Sequence, residues 1–162
     1  MTAVVGAVVK LKKMAISAKQ MTLRLSSIAN QQWLQTQVQE IVLKDNQELR
    51  KEKIDEFKHG LRPDGRIIGL YHSKAYEAFK QTLNPLAGGK VDLILSQSFS
   101  NSMFVKPFNK GYIFDASDSK TDKLKGKYGL DIMGLNQEWF NERQKTVYKS
   151  ILVGKITNVL NK

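Results

Sequence analysis

The fold is decided by residues 103–114, which read M-F-V-K-P-F-N-K-G-Y-I-F. Two short apolar and aromatic runs, 103–105 and 112–114, flank a more polar segment, and such runs favour β-strands. Asn109, Lys110 and Gly111 lie between the runs, and a connection of this length that contains glycine is typical of a β-hairpin. The stretch therefore predicts two antiparallel strands joined by a turn.

A third strand is predicted just before the hairpin. Val91, Leu93 and Leu95 alternate with Asp92 and Ile94 in a period of two, which is the period at which side chains change faces along a strand. The sequence therefore predicts a small antiparallel sheet in the middle of the chain.

Helical patterns lie on both sides of this sheet. The region between residues 7 and 59 has no Gly or Pro and is rich in Gln, Lys, Leu and Glu, which are good helix formers. It predicts two helices, roughly 14–26 and 30–58, with Ser26, Ser27 or Asn30 able to cap the break between them. The other predicted helices are residues 74–83, 121–128 and 136–162.

The fold class is therefore α+β, with N-terminal helices, a small antiparallel β-sheet and a C-terminal helix. We expect one domain overall, organised as an N-terminal arm (1–13), a helical region (14–59) and a compact α+β body (60–162). The arm is rich in valine and too short to form a sheet alone. It is therefore expected to add a strand to the sheet edge of a neighbouring subunit, although pairing within its own subunit is the alternative.

The chain is strongly basic. Its 162 residues include 26 Lys and Arg but only 15 Asp and Glu, which gives a net charge of +11. Such a charge favours polyanions or an acidic protein surface as partners, while a merely solvated basic surface is the alternative. The candidate polyanion contacts are Lys10, Lys12, Lys13, Lys120, Lys123, Lys125 and Lys127.

Composition and motifs exclude several classes of function. The absence of cysteine excludes disulfides, thiolate metal sites and a cysteine nucleophile, and two histidines exclude a three-histidine metal site within one chain. Phosphate-loop and nucleophile-elbow motifs are missing, and the longest apolar run, 3–9, is far shorter than a membrane span. Gly88, Gly89 and Lys90 fit either a phosphate nest or a strand-entry turn. We therefore expect no enzymatic activity, cofactor, metal or membrane contact.

Three segments resemble a family of small proteins from phages and prophages of Bacteroidetes. They read G-L-R-P-D-G-R-I-I-G-L-Y (60–71, with Tyr76 and Lys80 after it), L-N-P-L-A-G-G-K-V-D-L-I-L-S-Q-S-F-S-N-S-M (83–103) and F-D-A-S-D-S-K-T-D-K-L-K-G-K-Y-G-L-D-I-M-G-L (114–135). The central pattern, a leucine strand followed by a small-residue turn and then an aromatic or leucine and a serine, is similar to tail-completion and virion-morphogenesis proteins of tailed phages. Gln97 stands where that pattern usually has glycine, which predicts a different turn at this point.

The resemblance implies a set of interface or structural-motif residues. The set is Gly60, Pro63, Asp64, Gly65, Gly69, Tyr71, Gly88, Gly89, Asp92, Phe99, Ser102, Asp118, Lys120, Tyr128, Gly129, Gly134 and Leu135. The turn Pro63-Asp64-Gly65 also has its own chemistry, because proline presets φ, aspartate bonds to the backbone and glycine takes positive φ. We expect this loop to pack against the body or against a neighbouring subunit.

The resemblance also implies a function. It predicts a non-enzymatic virion protein that forms a homo-oligomeric ring at the head-to-tail neck or at the tail end and is made in the cytoplasm of the host bacterium. Its expected partners are other neck, portal or tail proteins, with non-specific contact to packaged DNA. The alternative is a basic nucleic-acid-binding protein encoded by a phage.

Overall fold

The predicted hairpin is confirmed by the computed structural model, which describes residues 17–94, 97–108 and 111–161. Strand β1 (Met103–Phe108) pairs antiparallel with β2 (Gly111–Ala116) in a two-stranded sheet. Val105 lies opposite Phe114 in the register. The chain is therefore α+β, as the sequence predicted.

Some predicted features lie outside the described residues. These are the arm at 1–13, with Lys10, Lys12 and Lys13, and the turn residues Asn109 and Lys110. Gly111, which was predicted to be part of the turn, is the first residue of β2.

The prediction of a third strand at 91–95 is wrong over its described part. Residues 91–94 have no strand conformation, and the only pairing nearby in the described chain is an isolated bridge between Leu70 and Lys90. The physical reason is that the backbone N–H groups of Asp92 and Ile94 donate to side-chain oxygens, the Tyr71 hydroxyl and the Asp92 carboxylate. In a sheet, backbone N–H groups donate to the neighbouring strand.

Within residues 17–58, which the structure describes, the N-terminal region contains three helices where the sequence predicted two. They are α1 (Ala18–Ala29), α2 (Gln31–Lys44) and α3 (Asn46–Lys58). The break at Asn30 was predicted, and its side chain accepts a hydrogen bond from the backbone N–H of Gln32 at 2.8 Å, which caps α2. The second break, at Asp45, was not predicted.

The middle helices agree closely with the sequence patterns. Helix α4 (Lys74–Leu83) begins after the cap Ser73, and a 3₁₀ turn (Pro85–Ala87) follows it. A single helical turn, α5 (Ser98–Asn101), precedes β1. Helix α6 (Thr121–Tyr128) has the predicted bounds.

The C-terminal helix is interrupted by a π-helical turn. Helix α7 (Gln137–Arg143) continues through the π turn (Gln144–Tyr148) into α8 (Lys149–Leu160). A second 3₁₀ turn (Leu130–Met133) lies just before α7. The sequence predicted one helix over 136–162, because a π turn leaves no distinct mark on the apolar pattern.

Two apolar clusters form the core, and the hairpin contributes to both. Met103 of β1 belongs to the first cluster, while Val105 belongs to the second. The first cluster consists of Phe57, Ile68, Val91, Phe99, Met103, Ala116, Ile132 and Met133. The second consists of Ile41, Val42, Leu49, Val105, Phe140 and Tyr148.

A polar contact ties the break between α2 and α3 to the C-terminal helix. The Asp45 carboxylate accepts hydrogen bonds from the Arg143 guanidinium and, at 2.7 Å, from the Tyr148 hydroxyl. This contact joins residues about a hundred positions apart in sequence. It fixes the direction of the chain where the sequence alone favoured a continuous helix.

The loop at Pro63 packs against the segment before α7. The Asn136 side chain donates to the carbonyl oxygen of Pro63 at 3.2 Å, and Arg62 pairs with Asp131 at 2.7 Å. Gly134 lies so close to Pro63 that an added Cβ would be 3.3 Å from the ring. The prediction that this loop packs against the body is therefore confirmed.

Gly65 has the positive φ that the turn chemistry required, at 78°. We expect Gly65→Val to lower the free energy of unfolding by about 1–3 kcal/mol, because a β-branched residue is strained in this conformation. A Cβ added at Gly65 meets no atom within 4 Å, so the variant tests backbone strain and not a steric clash. Gly126→Val is the matched control, since Gly126 also faces open space but lies inside α6. Equal melting temperatures for the two variants would contradict the prediction.

Candidate functional site

An open cleft of about 1060 Å³ lies in the described part of the chain. It is lined by residues 68–73 and by side chains of α4 and α6. The turn at 97–99 also lines it. Large clefts with a few converging polar groups are the usual place to look for a binding site.

A buried ion pair forms the floor of the cleft. The Lys80 ammonium contacts the Asp92 carboxylate, and their side chains are only 3% and 1% exposed. Lys80 also donates to the carbonyl oxygen of Ile94 at 3.1 Å, and Asn84 donates to Asp92 at 2.7 Å. Buried charges are tolerated only when they are paired and hydrogen-bonded in this way.

Four donor groups contact the Asp92 carboxylate. Besides Lys80 and Asn84, the Tyr71 hydroxyl donates to it at 3.3 Å and the Ile94 backbone N–H at 3.4 Å. Burial raises the pKa of Tyr71 to about 12, so this phenol stays protonated at neutral pH. The floor is therefore a fixed polar cluster that can position a ligand.

Aromatic rings form one wall. Tyr76 meets Tyr71 edge to face, with ring centroids 5.3 Å apart, and Tyr76 in turn lies 6.1 Å from Phe79. Tyr76 remains 43% exposed. Tyr128, on α6, also lines the cleft and is half-buried. The cleft is therefore lined by aromatic side chains from two helices.

The four lysines predicted near α6 have different positions. Lys120 and Lys127 are exposed and line the cleft, whereas Lys125 pairs with Asp115 at 2.6 Å. Lys123 is exposed and does not line the cleft. The structure therefore brings two of the four lysines to the candidate site.

Gln97 has a left-handed backbone at the rim of the cleft, with φ of 57°. It is the sole non-glycine residue with positive φ among those the structure describes. The tail-completion pattern that this segment resembles usually has glycine here, and the departure predicted a different turn. Gln97 itself adopts the conformation that glycine favours. Such strain is often found at functional sites.

The cleft gathers only part of the predicted site. Its lining includes Gly69, Tyr71, Asp92, Phe99, Lys120 and Tyr128. The remaining predicted positions do not line it: Gly60, Pro63, Asp64, Gly65, Gly88, Gly89, Ser102, Asp118, Gly129, Gly134 and Leu135.

Several of these other residues have structural contacts. The Ser102 hydroxyl accepts from the backbone N–H of Asp118 at 3.1 Å, which ties the start of β1 to the loop after β2. An added Cβ on Gly60 would lie 2.8 Å from the Cβ of Lys90, so only glycine fits there. Leu135 packs against the second apolar cluster.

Sequence analysis did not include Lys80 and Tyr76 in the site. Their spacing of four places them on one face of α4, and a lysine on a face that carries aromatic residues was the available signal. The burial of Lys80 depends on its ion pair with Asp92. Asp92 lies beyond the C-terminal end of α4 and becomes a neighbour of Lys80 only in the folded chain.

The described ranges contain neither a candidate metal site nor a candidate membrane span. No group of three His, Asp or Glu side chains comes close enough there to hold a metal ion. Among residues 17–94, 97–108 and 111–161, no helix has the length and apolar character needed to cross a bilayer.

No family model, curated protein or solved structure matches the chain.

Proposed function

We propose that the chain is a non-enzymatic structural protein of a tailed-phage virion, a ring subunit of the head-to-tail connector or of the tail-completion assembly. The resemblance of residues 60–135 suggests this class. The structural observation that supports it is a pair of exposed apolar surfaces on different elements. Soluble monomers rarely leave large apolar patches exposed, and such patches mark protein interfaces.

The first surface, the α4 stripe, consists of Phe79, Leu83 and Leu86. These side chains are 50%, 52% and 57% exposed. Phe79 and Leu83 are four residues apart and share one face of α4, and Leu86 follows in the 3₁₀ turn. The stripe therefore offers a continuous apolar ridge to a partner.

The second surface, the terminal-helix surface, consists of Met21 and Leu25, which are four residues apart and share one face of α1. They are 38% and 51% exposed. Helices α1 and α8 are in contact, and the Arg24 guanidinium donates to the carbonyl oxygen of Leu160 at 2.6 Å. No described residue of α1 is buried, so this helix has apolar surface available for another subunit.

A ring needs two different faces on each subunit. A heterologous contact joins one face of a copy to the other face of the next, and it closes when the rotation between copies divides a full turn. In the proposed ring the α4 stripe of one copy contacts the terminal-helix surface of its neighbour. Other neck, portal or tail proteins would then stack on the ring.

A mixing experiment tests this arrangement. We expect the wild-type chain to form ring-sized particles in mass photometry, and Leu83→Asp or Leu25→Asp alone to be monomeric. An equimolar mixture of the two variants should form dimers and nothing larger, because only one pair of intact surfaces remains. Leu130→Asp is the control, since Leu130 is 79% exposed but belongs to neither surface.

Circular dichroism must first show that each variant keeps its fold. A wild-type chain that stays monomeric at every concentration contradicts the proposal. Single variants that still form rings would contradict the assignment of the surfaces. Dimers formed by either variant alone would indicate a symmetric contact, which excludes the proposed ring.

A further inference from the structure

We propose that the cleft binds a nucleotide unit, either free or within a single strand. The base would lie against the aromatic surface of Tyr76 and Tyr128, and the phosphate beside Lys120 and Lys127. This inference concerns one subunit and does not depend on ring formation, so its failure and that of the proposed ring are distinguishable.

The cations of the cleft are available for an anion. Lys120 and Lys127 are exposed, and neither has an ion pair with any residue in the described ranges. The Lys127 ammonium lies 5.0 Å from the centroid of the Tyr128 ring. A cation and an aromatic ring are therefore already adjacent, as a phosphate joined to a base requires.

The floor adds no free charge to these two lysines. Lys80 lines the cleft, but it is 3% exposed and is paired with the buried Asp92 carboxylate. The phosphate is therefore assigned to Lys120 and Lys127.

The chemistry of the walls favours a flat polar ring over an aliphatic side chain. Tyrosine rings offer faces for stacking, and base–aromatic stacking tolerates any sequence. His72, Ser73 and Gln97 also line the cleft and carry groups that can bond to the edge of a base. An acidic peptide would pair with the lysines but would make less use of these polar edges.

The test measures binding of a short fluorescein-labelled oligothymidylate by fluorescence anisotropy. Lys120→Ala, Lys127→Ala and Tyr76→Leu should each weaken binding by about fivefold or more. Lys123→Ala is the matched control, because it removes the same charge from α6 outside the cleft. It should weaken binding by less than about twofold.

Competitors distinguish the sources of the ligand. If thymidine monophosphate displaces the labelled strand, the cleft is a site for the free nucleotide. If only unlabelled strand displaces it, the cleft is a site for single-stranded nucleic acid. Equal losses for Lys123→Ala and Lys120→Ala would overturn the proposal, because they would show non-specific attraction to a basic protein. Absence of binding overturns it as well. The cleft would instead be assigned to an acidic protein segment if polyglutamate displaced the labelled strand as well as unlabelled strand does and Tyr76→Leu still bound with full affinity.

Discussion

Replacing Lys80 by methionine is expected to lower the free energy of unfolding by about 3–5 kcal/mol. The variant keeps a similar side-chain volume but leaves the Asp92 carboxylate, which is 1% exposed, without its cation. Water cannot hydrate an unpaired charge at that depth. The expected loss is a large fraction of the free energy of unfolding of an ordinary domain. Chemical denaturation followed by circular dichroism measures the loss.

Two further variants make this result specific to the pair. Lys74→Met removes the same charge from the same helix at a side chain that is 90% exposed, and it should change stability by less than about 0.5 kcal/mol. The double variant Lys80→Met with Asp92→Leu should lose less than the sum of its single variants, because it leaves no buried charge unpaired. Strictly additive losses would show that the ion pair is not the source of the effect.

The parts of the fold that sequence predicted are those set by neighbouring residues. The hairpin is encoded by the aromatic and β-branched side chains of 103–105 and 112–114, which favour a strand wherever they occur. Asn30 caps α2 through its own side chain, and Gly65 takes a φ that other residues avoid. Each of these signals acts within a few positions, so the sequence displays it directly.

The parts that were missed depend on residues distant in sequence. Helix α2 ends at Asp45 where the carboxylate meets Arg143 and Tyr148. The alternation at 91–95 resembled a strand because nothing in the sequence shows that Asp92 turns inward toward Lys80. For a polar residue in an apolar pattern, the neighbouring sequence does not show whether its side chain faces solvent or forms a buried ion pair.

The candidate site, like the fold, was predictable only where its residues are close together in the sequence. Its lysines were recognised as a basic group near α6, but only the fold shows that Lys125 pairs with Asp115 while Lys120 and Lys127 face the cleft. The aromatic lining was missed in part because Tyr76 and Tyr128 are far apart along the chain. Only the fold brings both residues to the lining of one cleft.

Phe57→Ala is expected to have the other large effect, a loss of about 3–5 kcal/mol in the free energy of unfolding. Phe57 is at the end of α3, is fully buried, and has its ring centroid 5.9 Å from that of Phe99. Truncation removes most of a ring from the first apolar cluster and leaves a cavity that its neighbours fill only in part. Phe79→Ala makes the same change on α4 at a side chain that is 50% exposed, and we expect it to cost less than about 1 kcal/mol in the isolated subunit.

This comparison also tests how the helical region at 14–59 relates to the body at 60–162. Phe57 belongs to the helical region, yet its cluster partners Ile68, Val91 and Ile132 belong to the body. If the two regions unfold together, Phe57→Ala has a single unfolding transition at a lower midpoint. Far-UV circular dichroism and tryptophan fluorescence then report the same midpoint. Trp139 reports on the body and Trp33 on the helical region, so Trp33→Phe and Trp139→Phe backgrounds give a separate signal for each. A body transition that stays in place in Phe57→Ala would show that the helices before residue 60 are an arm that unfolds on its own.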